Sequence, residues 1–288
     1  MGGARITAIQ LVCHDVDATA SFYIQAFDCR PVAGQEMSSR LTRLMLGEQC
    51  IEFVATGSPS HIAARSNSTA FQHFAIVVSD IPTALNRIGA CPGWSAISRC
   101  GAETLPLSSG GVIAFKFRDP EGHPLEFLRF PGNSVPACWK DNTRLFLGID
   151  HSAITIANTE QAARFYADLG FSVTHRQLNE GPEQQRLDDV AAPLVEVTAL
   201  EPTGATRPHI ELLRYRQPPT VAEIAPVMDV RSTRLILDAS EFRISPEVLA
   251  NSFQPVRDPE LTDVRESWLR DRDGHILIVR EDRLQNAL

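Results

Sequence analysis

The order of apolar and polar residues along this chain alternates between two periods, one typical of strands and one typical of helices. Residues 4–14 follow the strand-like period of two, and after Asp15 the apolar residues change to intervals of three and four. Successive side chains of a strand point to opposite faces, whereas residues three and four apart share one face of a helix. The pattern predicts a strand, a cap at Asp15 and an amphipathic helix with these buried residues: Val16, Ala20, Tyr23 and Phe27.

The same strand–helix block occurs four times. Residues 147–170 align with residues 4–28 at one constant offset, and further copies begin within 71–90 and at 233–240. In each case the pattern continues with three more strands, and self-similarity of this kind indicates a repeated structural unit. The sequence therefore predicts an α+β fold of four tandem βαβββ modules, at about 4–55, 71–130, 147–216 and 230–283.

Two proline-containing stretches separate the modules. Residues 131–142 lie between the second and third modules, and residues 216–226 lie between the third and fourth. A length of 288 residues suits two domains of ordinary size. We expect a first domain at 1–132, a linker at 133–146 and a second domain at 147–288, with a helix of the fourth module at 246–253.

Composition excludes several function classes. Hydrophobic residues make up 43% and charged residues 22% of the chain, as in ordinary globular proteins. The net charge of −8 argues against nucleic acid or an anionic membrane as the main partner. No apolar run approaches the roughly 20 residues of a membrane-spanning helix, and the N-terminus has no signal-peptide core. The six cysteines contain no C-x-x-C pair, which favours reduced thiols and a cytoplasmic location.

A single glutamate interrupts one of the most apolar predicted strands. Glu126 follows the turn at Asp119–Gly122 and stands between Leu125 and Phe127. One interpretation is an edge strand with one solvated carboxylate. The other is a bound cation, because a buried carboxylate without one costs several kcal/mol. Taken alone, His73 is better explained as a core histidine bonded to a backbone carbonyl. We interpret six other histidines as turn or surface residues: His14, His61, His123, His175, His209 and His275.

Three stretches carry a resemblance to a known superfamily: residues 73–80, 151–158 and 111–126. Through them the chain resembles the vicinal oxygen chelate superfamily of glyoxalase I, extradiol dioxygenases, fosfomycin-resistance enzymes and bleomycin-binding proteins. The resemblance implies that modules pair into half-open mixed β-barrels, two in this chain, which hold a divalent metal ion. It also implies one ligand on the first strand of each module, seven residues before the helix cap, and one on the last strand.

The resemblance assigns these ligand positions one at a time. The first-strand positions are Ala8, His73 and His151, and the last-strand positions are Glu52, Glu126, Glu211 and Ile278. We expect the modules to pair within each half of the chain, so that the first half supplies Glu52, His73 and Glu126 and the second supplies His151 and Glu211. Three protein ligands suit an open catalytic site. We therefore predict a metal site in the first barrel and a vestigial site or pocket in the second.

Gln10 is a fourth candidate ligand. Animal-type glyoxalase I uses Gln, Glu, His and Glu, an order that Gln10 repeats with the three predicted ligands. Gln10 lies two residues from the expected position, and a β-bulge would be needed to bring its amide to the metal. The identity of the ion stays open between Zn, Fe(II), Mn, Ni and Co, all of which accept histidine and carboxylate ligands.

The resemblance implies a small-molecule substrate that binds the ion through two adjacent oxygens, and it leaves open a homodimer. With Glu126 as general base, the reaction would be proton abstraction next to a carbonyl, hence a lyase or isomerase. An extradiol ring-cleaving dioxygenase is the first alternative, disfavoured because the first barrel offers one histidine where that class needs two. Metal-free binding of a drug or metabolite is the second, with Trp94, Trp139 and Phe115 as candidate barrel-mouth residues. The polar segment 178–190 is a candidate cover for a barrel mouth.

Overall fold

The structure is a computed structural model that describes residues 4–56, 63–132, 134–140, 143–202, 207–238, 252–253 and 266–280. It has the predicted α+β composition. The strands are β1 (Arg5–Cys13), β2 (Arg30–Pro31), β3 (Leu41–Leu46), β4 (Gln49–Ala55), β5 (Gln72–Val78), β6 (Ser95–Ala96), β7 (Glu103–Thr104), β8 (Ile113–Arg118), β9 (Pro124–Arg129), β10 (Phe146–Thr155), β11 (Phe171–Glu180), β12 (Leu194–Pro202), β13 (His209–Gln217), β14 (Arg234–Asp238), β15 (Ser252–Phe253), β16 (Glu266–Arg270) and β17 (Ile276–Arg280). The helices are α1 (Val16–Phe27), α2 (Ile81–Gly89), α3 (Thr159–Ala167) and α4 (Gly181–Asp188), with short 3₁₀ turns at Leu107–Ser109 and Ala137–Trp139.

The strands form two mixed sheets. Sheet one has the order β15-β16-β17-β14-β1-β4-β3-β2, and sheet two has the order β11-β12-β13-β10-β5-β9-β8-β6, with β7 also paired to β8. An antiparallel pair of first strands joins the two parts of each sheet, β1 with β14 and β5 with β10. Within the described residues neither sheet closes into a barrel.

The pairing of the repeats differs from our expectation. The strands of the first module join those of the fourth, and the strands of the second join those of the third. Each sheet therefore contains strands from both halves of the chain. This corrects our expectation that each half forms its own barrel. Because the first strand of every module has a similar alternation, the hydrophobic pattern does not specify which module is its partner.

The expected helix at 246–253 falls mostly outside the described residues. Only its last two positions are described, and they form β15 rather than a helix. A helix that the sequence did not predict, α4, follows β11 directly and occupies most of the polar segment 178–190.

One core takes side chains from both sheets and from three helices. Phe27 of α1 contacts Phe117 and Phe127 of sheet two, and it also contacts Phe146. The same buried cluster includes Leu11 of sheet one. Because strand side chains alternate, this core takes one face of each sheet and leaves the opposite face for other groups. The opposite face of sheet two holds the site described below.

The predicted caps are present at three helices. Asp15 accepts a hydrogen bond from the backbone N–H of Ala18, and Asn158 accepts one from Gln161. Asp80 accepts one from the backbone N–H of Thr83 at the start of α2. Each cap satisfies a backbone donor that the helix itself leaves unpaired, which explains why the chain changes from strand to helix at these residues.

A repeated network connects α1 and α3 each to the hairpin of the following module. Tyr23 of α1 donates its hydroxyl hydrogen to Asp119, and Tyr166 of α3 donates to Asp271 in the equivalent turn. These turns contain Gly122 and Gly274, whose φ angles of 100° and 101° lie in the left-handed region that glycine tolerates. The hairpins are therefore structural joints between consecutive modules.

The histidines of these two turns are buried rather than exposed. Their burial corrects the interpretation of His123 and His275 as turn or surface residues. Nε2 of His123 bonds the carbonyl oxygen of Val12, and Nε2 of His275 bonds that of Thr155. Each histidine thus fastens its hairpin to the first strand of the preceding module.

The cysteines are unpaired thiols, as the sequence indicated. Cys13 and Cys29 lie in the core, and burial raises the pKa of both thiols above the ordinary value. Among the residues described, no helix has the length and hydrophobicity needed to cross a lipid bilayer.

Candidate metal centre

Strand register places four predicted ligand positions on one face of sheet two. Glu126 lies opposite Ala75, two residues after His73 on β5. Glu211 lies opposite Ala153, two residues after His151 on β10. Residues two apart on a strand share a face, so each histidine lies on the same side of the sheet as its glutamate. The pairing of β5 with β10 then brings the two histidine–glutamate pairs together.

The ligand atoms of this cluster converge. Nε2 of His73 is 2.8 Å from Oε2 of Glu126, and Nε2 of His151 is 3.7 Å from the same oxygen. Nε2 of His151 is also 3.6 Å from Oε2 of Glu211. One atom each from His73, Glu126 and His151 lies within 4.8 Å of the others. We call these four residues the sheet-two cluster.

The sheet-two cluster has the chemistry of a transition-metal site. Within the described part of the chain, Nε2 of His151 is buried and has no hydrogen-bond partner although two carboxylates surround it. An ion with bonds of about 2.0–2.2 Å keeps its ligand atoms about 3–4 Å apart. The separations of 3.6 and 3.7 Å around Nε2 of His151 match this range, whereas His73 and Glu126 are hydrogen-bonded directly at 2.8 Å. Imidazole nitrogen together with carboxylate oxygen suits several divalent metals. These residues fit a divalent metal ion.

Two further side chains orient the ligands. Nδ1 of His151 bonds Oδ2 of Asp150 at 3.1 Å, which leaves Nε2 facing the glutamates. Nδ1 of His209 bonds the backbone oxygen of Asp150, and its Nε2 lies 3.7 Å from Oε1 of Glu211. Partners of this kind fix the tautomer and the direction of a metal-binding imidazole. His209 is buried, which corrects its interpretation as a turn or surface residue.

A buried lysine that the sequence analysis did not single out adjoins the cluster. Lys116 lies opposite Glu126 on the neighbouring strand, and its Nζ is 2.7 Å from Oδ1 of Asp188 at the end of α4. The hydroxyl of Tyr215 donates to the other oxygen of Asp188, as does the amide of Gln184. The signal was available, because Lys116 interrupts an apolar strand as Glu126 does.

Charges within the cluster oppose the effect of burial on the pKa values of its residues. Burial alone would raise the pKa of Glu126, but the charge of Lys116 and the neighbouring imidazoles hold it well below its ordinary value. Burial would lower the pKa of His151, yet Glu211, Asp150 and Glu126 together raise it to about 10. The electrostatic preference for a proton on His151 is also a preference for a cation among these atoms.

A cavity of about 160 Å³ opens onto the cluster. Its polar lining includes all four residues of the cluster together with Lys116 and Asp188. Its apolar lining consists of Leu105, Val112, Leu128, Phe130, Leu187, Val195, Val197 and Leu213. The lining also includes Asn179 of β11 and Gln184 of α4, so the segment 178–190 borders the site.

Glu52 and Gln10 lie elsewhere, which corrects the predicted ligand set. Both belong to sheet one, and Glu52 accepts hydrogen bonds from Arg43, Arg280 and Gln10. Gln10 in turn accepts from Arg234. The oxygens of Glu52 are thus occupied by donors, and burial, which would raise its pKa, is outweighed by Arg280 and Arg43, so that its pKa is lowered. Glu52 is the acceptor of an arginine network.

The positions of sheet one that match the cluster have different chemistry. Ile278 lies opposite Ile236, so Arg234 occupies the place that His73 has in sheet two. Ala8 and Ile278 offer no ligand, and Arg234 is a buried cation that stacks on Trp268. A positive guanidinium at a ligand position opposes metal binding at the described part of this face.

The aromatic residues proposed for metal-free binding do not line the cavity. Trp94 and Phe115 pack with Phe117 in the main core. Trp139 is buried beside Val77 and Leu147. The geometry therefore offers no support for a barrel-mouth binding surface made of these three residues.

Comparison with known proteins identifies a family match over part of the chain. The sequence profile of the Glyoxalase/Bleomycin resistance protein/Dioxygenase superfamily matches residues 5–127. No curated protein matches the sequence significantly.

Solved structures share the fold over nearly the whole chain. Glyoxalase I from Zea mays superposes with a TM-score of 0.59 at 16% identity, covering 96% of this chain and 92% of that chain. A protein from Bacillus subtilis subsp. subtilis str. 168, assigned as a dioxygenase, superposes with a TM-score of 0.56 at 13% identity, covering 98% and 86%. At such identities the likeness establishes a glyoxalase-like fold and does not assign a reaction.

Proposed function

We propose that this chain, which belongs through residues 5–127 to the Glyoxalase/Bleomycin resistance protein/Dioxygenase superfamily, is a metal-dependent enzyme of glyoxalase-like type. Its centre would be the sheet-two cluster, and its substrate a small molecule with two adjacent oxygens. The observation that carries the proposal is the convergence of buried ligand atoms from His73, Glu126 and His151, with Glu211 beside them.

A bound divalent ion would act as a Lewis acid that stabilises negative charge on the substrate oxygens. The His and Glu ligands suit Zn, Fe(II), Mn, Ni or Co. His73, Glu126 and His151 would hold the ion, and Asp150 would keep His151 in the tautomer that presents Nε2. The apolar walls of the cavity would limit the access of water to the reacting atoms.

Glu211 is the carboxylate that we assign as general base, in place of the expected Glu126. The side chain of Glu126 is 7% exposed and bonded to His73, whereas that of Glu211 is 23% exposed and faces the cavity. A base must reach the proton that it removes. Proton abstraction next to a carbonyl by Glu211 would make the enzyme a lyase or isomerase.

A ring-cleaving dioxygenase is the second candidate, and one observation favours it. His151 supplies the second histidine that the sequence analysis found missing, so His73, His151 and Glu126 form the two-histidine, one-carboxylate set of that class. The two candidates differ in the role of Glu211. A dioxygenase needs open positions for both a diol and oxygen, so Glu211 would have to remain unbound.

Metal content tests the proposal. Protein purified without a metal-binding affinity tag is expected to retain about one divalent ion per chain on elemental analysis. The metal content of the double variant His73→Ala, His151→Ala should be at most about one tenth of the wild-type content, because the variant lacks both imidazole ligands. Glu52→Gln is the matched control and should retain the ion, since Glu52 bonds arginines in the other sheet.

Retention of the ion by the double variant, or its loss from Glu52→Gln alone, would show that the metal is bound elsewhere. A wild-type protein with no ion would leave metal-free binding as the function. Oxygen consumption by Fe(II)-loaded protein with a catechol separates the two enzymatic candidates. Uptake that persists in Glu211→Gln would favour the dioxygenase.

A further inference from the structure

Helix α4 spans the rim of the cavity between the second and third modules. It begins directly after β11 of the third module, and its last turn is bound to residues of the second. Gln184, Leu187 and Asp188 of this helix line the cavity. The helix is therefore a wall of the site.

One buried ion pair and one partly exposed ion pair hold α4 in this position. Lys116 bonds Asp188 at 2.7 Å, with both side chains almost fully buried. Arg186 donates two hydrogen bonds of 2.7 Å to the carboxylate of Glu103 on β7. A bidentate arginine–carboxylate pair fixes direction as well as distance. Two elements of the second module thus hold the helix.

A hydrogen bond just before the start of α4 is a third connection between the second and third modules. The hydroxyl of Ser109 donates to Oδ1 of Asn179 on β11 at 2.8 Å, and both residues line the cavity. Leu187 contributes the apolar part of this connection. Its side chain is 2% exposed and packs with Leu105 and Leu128 of the second module.

The space beside the cluster is small for a ligand site, and it is partly open to solvent. Pockets for drug-sized molecules measure about 300–1,000 Å³, whereas an apolar cavity of about 150 Å³ holds one benzene molecule. The cavity here measures about 160 Å³. A cavity of this volume holds one ring, so a second fused ring or a peptide-sized substituent would have to displace α4 or lie outside the cavity.

We propose that α4, with Leu187 as the specificity-determining residue, restricts the site to substrates about the size of a single six-membered ring that carry two adjacent oxygens. The requirement for adjacent oxygens rests on the proposed function, whereas the size limit rests on the cavity and on the contacts of α4. Leu187 sets the limit because it is the large apolar side chain that α4 places in the cavity wall.

The test compares two diols that differ by one ring. Catechol and naphthalene-2,3-diol present the same pair of oxygens and are titrated calorimetrically into Zn²⁺-loaded protein, in which no redox turnover occurs. We expect catechol to bind at least tenfold more tightly than naphthalene-2,3-diol. Leu187→Ala should reduce this ratio at least threefold, because it enlarges the cavity next to the ring.

Leu178→Ala is the matched control. Leu178 is an exposed leucine on β11, and its truncation should leave the ratio unchanged. Equal affinities of wild-type protein for the two diols, or an unchanged ratio in Leu187→Ala, would overturn the size limit. The wild-type ratio decides the size limit by itself. If Leu187→Ala fails to fold, the smaller truncation Leu187→Val tests the role of Leu187, and it should also reduce the ratio.

Failure of the proposed function gives a different result. A protein that takes up no Zn²⁺ contradicts the metal site, and the two diols are then titrated into the metal-free protein. A preference for catechol of at least tenfold there supports the size limit without the metal. No preference, or no binding of either diol, overturns it.

Discussion

Glu52 and Glu126 occupy the same position in their modules, and their neighbours give them different roles. Glu52 accepts hydrogen bonds from two arginines and a glutamine. Glu126 is bonded to His73 and lies near the unpartnered Nε2 of His151. A carboxylate whose lone pairs already accept strong charge-assisted hydrogen bonds has little capacity left for a metal ion. The identity of the residue is therefore a weaker guide to its role than the donors around it.

His123 shows at the same scale how geometry sets a protonation state. Its Nδ1 lies 2.7 Å from Oδ2 of Asp119, and its Nε2 lies 3.0 Å from the backbone oxygen of Val12. Both neighbours are acceptors, so only a doubly protonated ring donates to both. Burial would lower the pKa of His123, but the carboxylate of Asp119 outweighs it and raises the pKa above the ordinary value.

This raised pKa predicts a pH-dependent contribution to stability. A group whose pKa is raised by folding stabilises the protein below its unfolded pKa, and that contribution is lost as pH rises through the folded pKa. His123→Asn should lower the free energy of unfolding by roughly 2–3 kcal/mol at pH 6, because two buried hydrogen bonds are lost. The difference from wild type should shrink as the pH is raised to 9, as measured by urea denaturation.

His175→Asn is the control for this measurement. His175 is exposed on β11 and bonds only the side chain of Gln177 among its described neighbours, so its loss should cost little stability at any pH. A difference between wild type and His123→Asn that stays constant from pH 6 to pH 9 would contradict a charged His123.

At the scale of elements, α4 depends on a buried ion pair for its position. Its sequence is short and polar, and isolated helices of this length are marginal in water. Asp188 at its end accepts hydrogen bonds from Lys116, Tyr215 and Gln184. Tertiary contacts of the last turn therefore stabilise the helix more than its own propensity does.

Asp188→Asn is expected to destabilise the protein by about 3–5 kcal/mol. The amide keeps the shape of the side chain but leaves the charge of Lys116 buried without its nearest partner, which is the costly way to break a buried pair. Urea denaturation measures the loss. The control is Glu160→Gln, which breaks an exposed pair with Arg176 and should change stability little.

If Asp188→Asn is as stable as wild type, Lys116 does not need Asp188 as a counter-ion. The carboxylates of Glu126 and Glu211 would then be sufficient partners for the lysine, since both lie close enough to raise its pKa against the effect of burial. The position of α4 would in that case rest on Arg186 and Glu103.

At the scale of the whole molecule, both sheets join the two halves of the chain. Each sheet joins strands from both halves, through β1 with β14 and through β5 with β10. The main core adds helices and strands from both halves. Neither half forms a complete sheet by itself.

A nicked protein tests this interdependence. A protease site inserted after Gly132 and then cleaved should leave the two fragments associated, because both central strand pairs cross the cut. The nicked protein is expected to elute as one species on size exclusion at the position of the intact chain. The fragments should separate only in denaturant. Two folded fragments that elute separately under native conditions would favour one barrel per half.

The sequence by itself determined much of the local structure and all four candidate ligand positions. The period of two assigned strand faces, the caps at Asp15, Asp80 and Asn158 marked helix starts, and the repeats located His73, Glu126, His151 and Glu211. These features depend on residues within a few positions of one another, and local spacing records them directly.

Only the tertiary structure decided which modules share a sheet, and with it the composition of the site. The four first strands have similar alternating patterns, so local sequence cannot choose among their partners. The choice depends on contacts between residues far apart in the chain, such as Arg5 with Asp238. Because β5 pairs with β10, His73 lies beside His151. Because β1 pairs with β14 and with β4, Glu52 on β4 lies in the other sheet. The same long-range packing buries Lys116 beside Glu126 through α4, a helix too short for its own sequence to predict.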